Sequence, residues 1–269
     1  TAARLLVAAV ALTALTAGCA TPPEVKQADT PAERIFQSAQ ARFERGDYEG
    51  AIERYDRVRN DYPYSKYAVR SDLRIADAYF AQDQYASASE QYRTFVKLHP
   101  KHSKVDYARF RIGKALHAQM PRNWFFMPPA HERDLSSTRK AARQLEQFVE
   151  SYPNSEYVDD AEKLLREARR RLADHEMYVA SFHRERDNPK GASMRLKFLL
   201  NNYSGLGLDP RALWMLAQSY EELGENQKAK TALEDLVEYH PDSKYTDRAR
   251  DYLEEHDWSE SGGQGNESG

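Results

Sequence analysis

The 269-residue sequence has one cysteine, 12 glycines and 12 prolines, and its charges nearly cancel. A single cysteine excludes an intrachain disulfide and any metal site built from several thiolates. So few glycines and prolines cannot supply the turns of a many-stranded β fold. The 39 basic and 42 acidic side chains give a net charge of −3, which argues against nucleic acid as a partner. We therefore expect an all-α protein.

Catalytic motifs are also lacking. The sequence has no H-E-x-x-H, no G-x-S-x-G and no P-loop pattern. His131 to Asp134 brings histidine, glutamate, arginine and aspartate together, but on a loop with no second group of catalytic residues to meet it. We therefore expect no enzyme activity, no catalytic residue and no bound metal.

The lone cysteine follows an uncharged run rich in alanine, leucine and valine, from Leu5 to Gly18. This run is short for a bilayer span and suits the core of a signal peptide over residues 1–18. Leu15-Thr16-Ala17-Gly18-Cys19 resembles a bacterial lipobox, which implies a covalent lipid (palmitate) on Cys19 as the only added group. Ala20 in the next position favours the outer membrane. A secretory peptide cut near Ala17, or a buried thiol, remains an alternative.

Two polar segments flank the expected folded domain, which spans residues 32–258. Residues 19–31 include Pro22, Pro23 and Pro31 and predict an extended, lipid-anchored linker. Residues 259–269 contain no apolar side chain to bury and predict a disordered tail.

Alanine and proline recur in one register along the domain. Each unit has an alanine 12 residues before a proline, or before Ser204 in one unit, and four units have a second alanine 12 residues earlier. Small residues at positions 8 and 20 with proline at 32 are the tetratricopeptide pattern. Two antiparallel helices approach closely only where side chains are small, so these alanines mark the helix crossings. We predict a superhelix of five helix-turn-helix repeats at about 32–65, 69–102, 105–155, 157–206 and 210–243, then a C-terminal helix to 258.

Two of the units are longer than the others. In the third, about 16 residues from Pro121 to Ser136 are inserted between the two helices, including Trp124 to Met127. In the fourth, 14 additional residues without proline or glycine precede Ala180. Since 14 residues make about four whole helical turns, we predict a long first helix that keeps the same face towards the neighbouring helices.

These features together resemble the BamD family, the tetratricopeptide lipoproteins of the β-barrel assembly machinery. The resemblance rests on the order of units, Glu132-Arg133-Asp134 after the insert, Tyr152 to Tyr157, Leu172 to Glu176, and Phe182. It implies a non-catalytic scaffold on the periplasmic face of the outer membrane, anchored by its lipid. The implied partners are the periplasmic domains of a BamA-type barrel protein, other Bam lipoproteins, and unfolded outer-membrane proteins awaiting insertion.

Two other functions stay open. A tetratricopeptide lipoprotein could instead be an adaptor that regulates periplasmic peptidoglycan enzymes or proteases. Such an adaptor would lack the insert of the third unit. A lipid-anchored hydrolase is a more distant alternative, because no catalytic motif supports it.

In tetratricopeptide proteins the first helix of each unit lines a groove through positions 2, 5, 9 and 12. We predict a peptide-binding groove that could bury an aromatic ring and pair a carboxylate, the two groups with which barrel proteins typically end. The alternative is that its aromatic residues pack against the next repeat. The predicted groove residues are Phe36, Gln40, Phe43, Arg70, Leu73, Asp77, Phe80, Tyr107, Phe110 and Lys114.

Arg184, Arg186 and Arg195 form a basic group near the turn between the helices of the fourth unit. The resemblance implies docking to the barrel subunit in the C-terminal half, where these cations could meet acidic groups of that partner. The alternative is a solvated helical face. Trp124 to Met127 could contact a partner or cover the core of the third unit.

Overall fold

The computed structural model describes residues 30–121, 129–256 and 258, and within these residues all regular structure is helical. The prediction of an all-α protein is confirmed. The helices are α1 (Pro31–Glu44), α2 (Tyr48–Asp61), α3 (Lys66–Ala81), α4 (Tyr85–Leu98), α5 (Val105–Ala118), α6 (Ser136–Ser151), α7 (Val158–Arg184), α8 (Pro189–Tyr203), α9 (Asp209–Glu222), α10 (Asn226–Tyr239) and α11 (Thr246–Glu255).

Side-chain caps fix where several helices begin. Thr30 Oγ1 accepts a hydrogen bond from the Glu33 backbone N–H at 3.2 Å, and Ser65 Oγ accepts one from Tyr67 N–H at 3.1 Å. These bonds satisfy N–H groups that have no partner inside the helix. Helix α1 starts at Pro31, where proline is tolerated because its missing N–H would be unbonded anyway. The helical domain therefore starts one residue before the predicted boundary at 32.

Consecutive helices pack against each other along the whole described chain. The repeat alanines lie where the paired helices touch: Ala39, Ala51, Ala76 and Ala88 are all fully buried. Larger side chains such as Tyr55 and Tyr92 fill the space around these contacts. The small-residue pattern in the sequence therefore predicts the helix crossings correctly.

The two irregular units also form as predicted. Helix α7 is a single helix of 27 residues, and the insert separates α5 from α6 and contains a short 3-10 helix, Ala130–Glu132. Gly113 takes the place of the repeat alanine in α5. A Cβ atom there would lie 2.6 Å from Leu145 Cδ2, so the fully buried Leu145 occupies the space that alanine would need.

The C-terminal helix is shorter than expected. It ends at Glu255, because the backbone of His256 is extended, whereas the sequence predicted a helix to 258. Trp258 instead folds back, and its indole Nε1 donates to the Leu253 carbonyl at 3.2 Å. Residues 1–29, 122–128, 257 and 259–269 lie outside the described residues, and so do the predictions made for Cys19, for Trp124 to Met127 and for the tail.

Candidate functional site

The first two helix pairs build the same aromatic contact twice, 37 residues apart. The Phe43 ring meets Tyr48 edge-on with 5.3 Å between ring centroids, and the Phe80 ring meets Tyr85 in the same way at 5.1 Å. Each contact joins the end of a first helix to the start of its second helix. Both phenylalanines are half-buried, so part of each ring stays at the surface.

A cation from the following first helix lies over each of these phenylalanines. The Arg74 guanidinium is 5.9 Å from the centroid of Phe43, and the Arg111 guanidinium is 4.0 Å from that of Phe80. Such contacts stabilise by about 0.5–1 kcal/mol at exposed sites. Successive first helices are therefore joined by an arginine that covers an aromatic ring.

A buried tyrosine also recurs after 37 residues, but its hydroxyl group donates to a different acceptor in each of the two units. Tyr55 donates to Gln40 Oε1 at 3.0 Å, whereas Tyr92 donates to Asp77 Oδ1 at 2.6 Å. Burial raises the pKa of Tyr55 to about 12 and raises the pKa of Tyr92 well above its ordinary value. The second unit thus has a carboxylate where the first has a neutral amide.

Asp77 is buried, with 6% of its surface exposed, and all of its bonds come from within the chain. Its Oδ1 accepts from Tyr92 and also from the Tyr107 hydroxyl at 2.8 Å, while its Oδ2 accepts from Arg74 Nη1 at 3.1 Å. Burial and the Asp77 charge raise the pKa of Tyr107. An unpaired buried carboxylate would be very costly, so these three donors satisfy the Asp77 carboxylate and fix its orientation.

A cavity of about 450 Å³ opens beside Asp77, and we call it the α3–α5 pocket. Arg70 and Lys104 are exposed in its wall and form no ion pair with any residue that the structure describes. The Arg70 guanidinium lies 4.7 Å from the Phe36 ring centroid. The pocket therefore combines uncompensated positive charge with tyrosine rings. Its lining residues are Arg70, Leu73, Arg74, Asp77, His102, Lys104, Tyr107 and Tyr157.

Four of the predicted groove residues meet in this pocket: Arg70, Leu73, Asp77 and Tyr107. Two others are in the core, since Phe36 is 5% exposed and Phe110 is 3% exposed.

Both of these rings pack against neighbouring helices, as in the alternative given for the groove aromatics. Phe36 contacts Tyr55 and Tyr67 with 5.3 Å between centroids in each case, and Phe110 stacks on Tyr157 at 5.2 Å. Neither Phe36 nor Phe110 is placed to contact a ligand.

The remaining predicted groove residues are half-buried and also contact the chain itself. Gln40 accepts the Tyr55 hydroxyl, and the Lys114 ammonium lies 5.7 Å from the Phe110 ring centroid. Phe43 and Phe80 lie under their arginines.

The sequence analysis missed Arg74, Arg111, Lys104 and Tyr157. Arg74 and Arg111 share a 37-residue spacing with Phe43 and Phe80, so a comparison of the first units position by position would have found both arginines. Lys104 and Tyr157 each come just before a first helix, outside the four groove positions.

The fourth unit holds the three predicted docking arginines. Arg184 is half-buried, and its guanidinium donates to Gln218 at 2.8 Å and contacts Glu222 at 3.3 Å, which ties the end of α7 to α9. This arginine therefore has a structural role within the chain.

Arg186 and Arg195 are exposed. The Arg186 guanidinium lies 4.1 Å from the Phe182 ring centroid, and Arg195 lies 3.3 Å from Glu176. Arg186 lies in the turn, whereas Arg195 lies in the middle of α8. Both side chains keep surface that a partner could reach.

No group of three or more histidine, cysteine, aspartate or glutamate side chains within the described ranges could hold a metal ion. None of the described helices has the length and apolar character needed to cross a membrane.

Paired helices that cross at small residues and stack through successive first helices define a tetratricopeptide-type repeat protein. The sequence matches the YfiO family, described as outer membrane lipoprotein, over residues 28–234, and the chain belongs to this family.

Curated relatives agree with this assignment. The chain is 28% identical over 227 residues to the outer membrane protein assembly factor BamD of Caulobacter vibrioides, covering 83% of this chain and 72% of the relative. It is 26% identical over 210 residues to the factor of the same name from Vibrio cholerae, covering 77% and 86%. The resemblance to the BamD family is confirmed.

Among solved structures, the TPR2AB-domain:pHSP90 complex of yeast Sti1 matches over 83% of this chain and 84% of its own chain. The sequence identity is 14% and the TM-score is 0.41.

Proposed function

We propose that this chain is a non-catalytic outer membrane protein assembly factor that binds unfolded outer-membrane proteins before their insertion. The family match and the names of the relatives support the assembly role. The α3–α5 pocket supports the binding role, because it presents Arg70 and Lys104 without carboxylate partners beside tyrosine rings. This pocket is the observation that carries the proposal.

The ligand we propose is an extended segment that ends in an aromatic residue with a free carboxylate. Arg70 and Lys104 would pair with the carboxylate, and Leu73, Tyr107 and Tyr157 would contact the terminal ring. Asp77 would not contact the ligand directly. Its bonds to Tyr107 and Arg74 would hold these two side chains in place.

The wider arrangement in the membrane follows the family. The chain would be held on the periplasmic face by a lipid on Cys19, and two or more acyl chains would make this attachment stable. It would dock on the periplasmic domains of a BamA-type barrel protein, with Arg186 and Arg195 as candidate contacts, beside other Bam lipoproteins. The adaptor alternative is less well supported, because the insert between α5 and α6 is present.

The binding role can be tested by fluorescence polarisation with a labelled peptide that ends in phenylalanine. We expect the double variant R70Q/K104Q to bind about tenfold more weakly, the effect of losing about 1.4 kcal/mol of charge-assisted bonding. The control R54Q/K97Q removes the same charge from the second helices α2 and α4, and it should leave the affinity unchanged. Circular dichroism would establish that both variants are folded.

The same peptide with a C-terminal amide separates carboxylate recognition from general attraction. The amide should bind wild type about as weakly as the free acid binds R70Q/K104Q. Equal affinity of wild type for acid and amide would contradict the proposal, and so would an equal effect of both double variants.

A further inference from the structure

A second cavity, of about 720 Å³, opens between the end of α5, the middle of α7 and the turn that joins α8 to α9. We call it the α5–α7 cleft. Its volume is in the range of ligand-binding pockets, and none of its residues lines the α3–α5 pocket. Its charged side chains are Lys163, Arg166, Arg170 and Arg171 with Glu167 and Asp174.

Two of the arginines are held by neutral backbone groups. Arg170 donates to the Leu206 carbonyl, and Arg171 donates to the Pro121 carbonyl. Gly205 and Gly207, with φ angles of 78° and 79°, form the turn that carries Leu206, a conformation that other residues rarely adopt. A carbonyl orients a guanidinium without cancelling its charge, so these bonds fix both cations, and Arg171 has no carboxylate partner among the described residues.

Both carboxylates of the cleft already have partners. Asp174 pairs with Arg170 at 3.1 Å, and Glu167 Oε2 lies 3.2 Å from His117 Nε2. Lys163 and Arg166 are exposed and form no ion pair with any part of the chain that the structure describes. The cleft therefore has a local excess of positive charge in a chain whose net charge is negative.

We propose that the α5–α7 cleft binds an acidic segment of an extended polypeptide. Lys163 and Arg166 are three residues apart on α7 and share one face, about 4.5 Å apart along the helix axis. Alternate side chains of an extended strand recur at about 6.6 Å. The flexible lysine and arginine side chains can cover this difference, so aspartate or glutamate at alternate positions can engage both. Charge complementarity thus selects an acidic peptide as the occupant.

This site is distinct from the α3–α5 pocket, which is proposed to take a terminal carboxylate and an aromatic ring. Two sites would let one unfolded chain be held by its end and by an internal acidic stretch. Each site can nevertheless be tested without the other, because the two probes share no recognition element except negative charge.

The probe is fluorescein-labelled Glu-Asp-Glu-Asp-Glu with an amidated C-terminus, titrated against the whole chain by fluorescence polarisation. We expect K163Q/R166Q to weaken binding about fivefold and wild-type affinity to fall as salt is added. Lys140 and Arg143 provide a matched control, because they are also a lysine and an arginine three residues apart, exposed and without ion pairs to described residues, on α6. The variant K140Q/R143Q should bind as wild type does.

The proposal would be overturned by no binding of the acidic probe to wild type, by an equal loss in K163Q/R166Q and K140Q/R143Q, or by equal affinity for a Gln-Gln-Gln-Gln-Gln amide probe. R70Q/K104Q should bind the acidic probe normally, and K163Q/R166Q should bind the peptide ending in phenylalanine normally. If R70Q/K104Q alone lost the acidic probe, the acidic segment would belong to the α3–α5 pocket and the proposal would be wrong. Because these substitutions are at exposed positions, loss of folding would not explain a loss of binding.

Discussion

Removing the hydroxyl group of Tyr92 should cost more stability than removing the hydroxyl group of Tyr55. The two tyrosines are both fully buried and occupy equivalent positions 37 residues apart. They differ in their acceptors: the Tyr92 hydroxyl bonds the Asp77 carboxylate, and the Tyr55 hydroxyl bonds the Gln40 amide. Each change to phenylalanine deletes one oxygen from a similar environment, so the comparison isolates the charge of the acceptor.

The magnitudes follow from the two acceptors. A hydrogen bond to a charged group contributes about 1.5–3 kcal/mol, and a bond between neutral groups contributes about 0.5–1.5 kcal/mol. Tyr107 still donates to Asp77 in Y92F, which keeps the loss near the lower value of its range. We expect Y92F to lose about 0.5 kcal/mol more than Y55F, because about 1.5 kcal/mol is lost in Y92F and about 1 kcal/mol in Y55F.

Urea unfolding followed by circular dichroism measures this difference, provided that the slope of free energy against urea is the same in all variants. Combining Y92F with Y107F tests the account further. The double variant leaves the buried carboxylate with Arg74 alone, so its loss should exceed the sum of the two single losses. Equal losses of stability in Y55F and Y92F, or a larger loss in Y55F, would refute the assignment of the Asp77 carboxylate as a charged acceptor shared by Tyr92 and Tyr107.

Two further predictions concern the same face. Burial raises the pKa of Tyr55 from its ordinary value of 10 to about 12, so the folded chain holds this proton more tightly than the unfolded chain does. The contribution of this raised pKa to stability is complete below pH 10 and is lost as pH rises towards about 12. Urea unfolding between about pH 10 and 12 should therefore show a smaller fall in the free energy of unfolding for Y55F than for wild type. Equal falls in the two proteins would contradict the raised pKa of Tyr55. The double variant F43S/F80S should bind the peptide ending in phenylalanine about fivefold more weakly in the polarisation assay, because Phe43 supports Arg74, which lines the α3–α5 pocket. Unchanged affinity would remove both rings from the site.

The sequence was sufficient to predict most of the fold. Alanines at repeat positions predicted the crossings at Ala39 and Ala51, because close approach of two helices tolerates only small side chains. Fourteen additional residues without proline or glycine predicted the long helix α7. The end of α11 could not be predicted, because Trp258 folds back and its carbonyl accepts from Gln227 on α10, which is a tertiary contact.

The candidate site was predicted only in part. The groove positions of tetratricopeptide repeats placed Arg70, Asp77 and Tyr107 in one groove, and the structure brings them to one pocket. These positions do not show how far the next helix covers a residue. The burial of Phe36 and Phe110 in the core therefore could not be predicted.

The role of Asp77 also depends on tertiary contacts. Tyr92 comes from the second helix of the same unit, and Tyr107 comes from the first helix of the next. The four groove positions are defined within a single helix. They therefore cannot predict that Asp77 accepts all three of its hydrogen bonds from its own chain.

We propose that the chain holds other polypeptides at the outer membrane and does not transform them. The most direct test is extraction of native membranes with mild detergent, affinity capture of this chain, and quantitative identification of the proteins that co-purify. We expect an equimolar BamA-type barrel protein to co-purify, and this chain to be released only with detergent. Release without detergent, or co-purification of peptidoglycan enzymes or proteases in place of a barrel protein, would contradict it.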